Sequence, residues 1–84
     1  MKRIRLTSHA HEQCLERGAT DDEVREAVEK GSRERAKRGR FMCRYNFRYG
    51  RSWQGKVYRT KQVAPVIAEK ADEIIVITVY TFFF

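Results

Sequence analysis

The 84-residue sequence has one proline, Pro65, and two cysteines, Cys14 and Cys43. It has no low-complexity run and no visible internal repeat. No stretch approaches the ~20 apolar residues of a membrane span. The closing EIIVITVYTFFF is too short for one and reads as a strand. The basic start, MKRIRLTSHA, has no apolar run behind it, so no secretory signal is expected. The expected location is therefore cytoplasmic, with both thiols reduced. The zinc spacings C-x-x-C and H-x(3–5)-H are absent. His9 and His11 also fall on different sides of a helix, about 200° apart. No metal and no cofactor are expected.

What remains fits one soluble domain over residues 1–84. Hydrophobic residues make up 42% and charged residues 35%, a globular balance. Charge is unevenly placed. Residues 33–61 hold eleven Lys and Arg against Glu34 alone, whereas residues 20–30 hold five acids against two bases. A basic segment of this kind points to an anionic partner, RNA first and an acidic protein second.

The pattern predicts an α+β fold. Two helices occupy about 8–30 and pack on a three- to four-stranded antiparallel sheet over about 33–84. Thr7 or Ser8 caps the first helix, Gly18 ends it, and Leu6, Ala10 and Cys14 form its buried stripe. Thr20 and Glu23 make a capping box for the second, whose inward face is Val24, Ala27 and Val28. From Arg40 to Tyr49 the period becomes two, the strongest strand signal in the chain. GRSWQG reads as a hairpin loop, and KVYRTKQV as the returning strand. Pro65 marks a bend or an edge, followed by a third strand over 66–70. Glu73–Phe83 is apolar on both faces and is expected to be central and covered on both sides.

Three functions suit the histidine-bearing first helix. Zinc is disfavoured by spacing. A helix-turn-helix is disfavoured because Asp21, Asp22, Glu23, Glu26 and Glu29 would repel DNA. Acid–base chemistry is left: the helix dipole disfavours imidazolium at His9, as a general base requires, and Gln13 and Arg17 continue its stripe. The competing reading of His9 is a structural residue. Arg40, Arg44 and Arg48 share one strand face, with Arg59 and Lys61 on a neighbouring strand, as candidate RNA contacts. Tyr45, Phe47 and Tyr49 alternate with those arginines and are expected in the core.

T-S-H-A at 7–10, E-R-G at 16–18, the capped acidic helix and I-I-V-I-T-V-Y at 74–80 resemble a family of small uncharacterised bacterial domains. Its signature is S-x-H-A-x-x-R-M-x-E-R-G with a closing V-x-T-V-Y strand. That family in turn is similar to the ribonuclease-like fold of barnase, EndoU, colicin nucleases and RelE-type toxins. The resemblance implies metal-free RNA cleavage of toxin type, restrained by an acidic antitoxin-like protein. It implies His9 as base or acid, Arg17 with Lys61 or Arg59 as phosphate cations, and Thr78 or Tyr80 as orienting hydroxyls. Gln13 stands where the family has arginine, and Cys14 where it has methionine. The alternatives are a non-catalytic module of the same fold, or a domain that dimerises through the apolar Phe82–Phe84 end.

Overall fold

The computed structural model describes residues 2–84, and the ends of its helices follow from local chemistry. The Thr7 hydroxyl accepts from the Ala10 N–H and starts α1, Ser8–Arg17. Gly18 ends it at φ 73, in the left-handed region that a side chain resists. Gly18 also lies against Trp53, where a Cβ would come within 2.6 Å of Cζ3. The Thr20–Glu23 capping box opens α2, Asp21–Lys30.

The strands are β1 (Arg3–Leu6), β2 (Ser32–Arg35), β3 (Phe41–Trp53), β4 (Lys56–Glu69) and β5 (Glu73–Phe83). They form one sheet in the order β1-β5-β4-β3-β2, with β1 parallel to β5 and every other pair antiparallel. This corrects the expected three or four antiparallel strands. A strand precedes the helices, because Ile4 and Leu6 alternate with Arg3 and Arg5 and pair with Ile74 and Val76. A polar edge strand, β2, follows them; all four of its residues are exposed, so it carries no apolar alternation.

Pro65 lies inside the central strand, not at an edge. The third strand expected over 66–70 is the continuation of β4. Pairing with β3 runs from Met42↔Val66 to Tyr45↔Val63, and the two positions between, where Pro65 would donate, are unpaired. On the other side Pro65 pairs with Val79. The expected hairpin loop shrinks to Gln54 and Gly55, both at positive φ, the geometry of a two-residue turn that suits the strand twist. The residues before it belong to β3, with a register shift between Arg48 and Arg51.

Both helices cover the same sheet face. Ala10, Cys14, Val24, Ala27 and Val28 meet Cys43, Val63, Ile67, Val76 and Val79 there. Cys14 and Cys43 are free and buried, and burial pushes both thiols up. Among the described residues, no helix lies over the other face. The expected covering of β5 on both sides is therefore corrected: its second face carries exposed Tyr80 and Phe82. Among the described residues, no helix is long and apolar enough to cross a membrane.

Lys61 is 3% exposed on the helix side of the sheet. Its Nζ donates to the Gly18 carbonyl at 2.9 Å and pairs with Glu23 Oε1 at 2.8 Å. The same Glu23 oxygen accepts from the Thr20 N–H. Glu23→Gln keeps the capping acceptor but strands a buried ammonium. It should lower unfolding free energy in urea by about 3 kcal/mol.

Acid should loosen the strand ends. Hydrogen bonds from Lys2 and Arg33 hold the Glu69 carboxyl below its usual range, and Arg5 does the same for Glu73. Both folded values are lowered, so this stabilisation is complete above about pH 5 and is lost as pH falls through them. Urea midpoints measured from neutral to acid pH should drop along that limb. Arg5→Gln should make the drop shallower.

Candidate functional site

The first helix uses its polar stripe on the sheet edge. β1 covers β5 only as far as Val76, and beyond that the outer backbone of β5 has no strand beside it. Thr7 donates its N–H to the Val76 carbonyl at 3.1 Å and its hydroxyl to the Ile77 carbonyl. Gln13 Oε1 accepts from the Val79 N–H at 2.8 Å, and Arg17 Nη1 donates to the Val79 carbonyl at 2.8 Å. Thr81 closes the series by donating its hydroxyl to the Arg17 carbonyl. Gln13 and Arg17 thus satisfy a strand edge that would otherwise be open.

His9, one turn earlier, is exposed and makes no side-chain hydrogen bond with any described residue. His11 is exposed as well. Among the described residues, no three His, Cys, Asp or Glu side chains gather as metal ligands.

The open sheet face carries a groove of about 520 Å³. Its floor is Met42, Arg44, Val66, Thr78 and Tyr80, and its wall is the segment from Arg35 to Arg40, which includes a single 3-10 turn at Lys37–Gly39. Five cations line it, Arg35, Lys37, Arg38, Arg40 and Arg44, against one carboxylate, Glu34. Arg44 pairs with Glu34 and donates to Gln62 Oε1. Lys37, Arg38 and Arg40 form no ion pair with any described residue. Arg38 holds φ 62, a left-handed conformation unusual for a side chain of its size.

The expected site residues are therefore divided. Arg40, Arg44, Thr78 and Tyr80 meet in the groove. Arg17 touches it only indirectly, with its guanidinium 5.0 Å from the Tyr80 ring centroid. Arg48 and Arg59 line a second, open depression with Asn46, Phe47, Gly50 and Thr60. His9 does not line the groove. Lys61 lies on the opposite side of the sheet from Arg44 and Arg48, committed to Glu23, because it shares the helix-facing side of β4 with Val63 and Ile67. That corrects its expected role as a phosphate cation. Lys37 and Arg38 are groove residues that the strand alternation missed, since they lie in a turn; the charge run alone pointed to them.

Residues 6–81 match the model of a domain of unknown function, DUF4258, and the chain belongs to that family. Neither the curated proteins nor the solved structures yield a match.

Removing the Gln13 amide should cost stability, not chemistry. Gln13→Ala leaves the Val79 N–H without its partner and should lower the unfolding free energy by about 1–3 kcal/mol, read from the shift of the urea midpoint.

Proposed function

We propose that this domain binds RNA through the basic groove of the open sheet face. The observation that supports it is the convergence of Lys37, Arg38, Arg40 and Arg44 beside the Thr78 and Tyr80 hydroxyls, with three of those cations unpaired. Charges that serve solubility alone have no reason to come together from a turn and a neighbouring strand around a concavity. Guanidinium groups bind phosphate oxygens bidentately, and hydroxyls complete such contacts. Cytoplasmic RNA is the proposed target.

Kinship with the ribonuclease-like toxins belongs to the same proposal, and one observation favours a cleaving version of it. Thr78 and Tyr80, on the last strand, share the groove with the arginines. Cleavage needs a base for the 2′-hydroxyl, a cation at phosphorus and an acid for the leaving oxygen. The groove offers cations and hydroxyls, but its one carboxylate is paired with Arg44 and His9 lies elsewhere. Binding is therefore the leading reading.

Fluorescence anisotropy of labelled RNA tests it. The log of the affinity should fall with the log of salt by about 0.7 per phosphate neutralised on a single strand. Lys37→Glu and Arg40→Glu should each weaken binding and flatten that slope. RNA affinity indifferent to salt would move the groove to an acidic protein partner. Cleavage of the RNA by the wild type, lost in His9→Ala, would overturn the binding-only reading.

A further inference from the structure

The aromatic residues divide by sheet face. Tyr45 and Phe47 pack edge-to-face on the helix side. Tyr49, Trp53 and Tyr58 gather around Phe83, with Trp53 stacked on it at 5.1 Å. Tyr80 and Phe82 are different. They stand two residues apart on one strand, about 7 Å along it, and share the open face. They are 39% and 42% exposed.

Their surroundings keep the rings presented. The cross-strand partner of Tyr80 is Ala64, too small to cover it. The partner of Phe82 is Gln62, whose amide oxygen accepts from Arg44 and whose amide nitrogen donates to Asn46 Oδ1. Gln62 is thereby tied toward β3. Cations flank both rings, Arg17 at 5.0 Å from the Tyr80 centroid and Arg44 at 5.4 Å from that of Phe82. Tyr80 also lines the basic groove, so the ring pair continues directly from the phosphate-binding surface.

We infer that Tyr80 and Phe82 form a stacking platform for two unpaired bases, which makes the ligand single-stranded RNA. This rests on the RNA-binding reading of the groove. Aromatic faces beside a cationic track are what single strands use, because every base offers a π face and the backbone carries the charge. In a duplex the bases are stacked on each other, and A-form grooves do not admit a flat sheet face to them. Arg17 and Arg44 are positioning residues, each holding one ring by a cation–π contact. Five cations on the groove disfavour a second copy of the chain as the occupant, since two such faces would repel.

The test compares fluorescein-labelled oligoadenylate with the same strand annealed to oligouridylate. The single strand should bind at least about tenfold more tightly than the duplex. Tyr80→Ala and Phe82→Ala should each weaken it by about 5–150-fold, and Tyr80→Trp should restore it. A 2-aminopurine placed in the strand should be quenched by the wild type and not by the double alanine variant. Thermal melts check that each variant is folded. Equal affinity for strand and duplex, with the alanine variants binding like the wild type and Arg40→Glu weakening both, would refute the platform and leave the groove reading intact. No binding of either probe would remove both. A concentration-dependent dimer that Tyr80→Ala dissolves would assign the face to a second copy instead.

Discussion

The structure hangs on one buried ammonium. Lys61 sits on the middle strand and reaches the junction between the helices, where it holds the Gly18 carbonyl and the Glu23 carboxylate at once. A charge with so little water contact is tolerable only when paired and hydrogen-bonded. That requirement fixes where α1 ends and where α2 begins relative to the sheet. Gly18 meets three demands together: left-handed backbone, an acceptor for Lys61, and room for Trp53 at the tip of the long hairpin. With both helices pinned to one face, the other is left uncovered.

The polar stripe of α1 illustrates how a motif can be real and its purpose different. His9, Gln13 and Arg17 lie on one side of the helix, as spacing requires. Two of the three are spent on the backbone of Val79. A glutamine serves that purpose better than an arginine at position 13, since it accepts from an N–H, which a guanidinium cannot do. Gln13 is thus a working part of the sheet edge.

Much of the fold was legible in local chemistry. The caps at Thr7, Thr20 and Gly18, the buried Ala10 and Cys14 of the first helix, the inward face of the second and the alternation from Phe41 to Tyr49 stand in the structure as the sequence predicts, while Leu6, expected on the stripe of the first helix, ends β1. β1 was missed because four residues with two arginines carry little apolar signal; its partner lies some seventy positions away. β2 has no alternation at all. Pro65 was misplaced because its missing donor argues for an edge, yet the ladder simply skips a bond there. In the groove, Arg40 and Arg44 were identifiable from strand parity, whereas Thr78 and Tyr80 came from the resemblance alone, because a register shift beside Ile67 separates them from the buried Ile74 and Val76 of equal parity. Lys37 and Arg38 were not identifiable from parity, since a turn has no period, and Lys61 was assigned to the wrong side because parity on β4 depends on a register that only pairing defines.

The parallel pairing of β1 with β5 sets an order of events during synthesis. The first strand emerges early but has no partner until Ile74–Val76 has been made. Until then Ile4 and Leu6 have nothing to bury against, and the Val79 edge that Gln13 and Arg17 grip does not exist. The last strand also brings Thr78 and Tyr80 to the groove. The nascent chain therefore lacks a finished groove until β5 has been made, and a pairing of such long sequence separation carries a loop-closure cost that local contacts do not. A ribosome-bound intermediate of this protein would carry its basic turn but not the floor that turns it into a site.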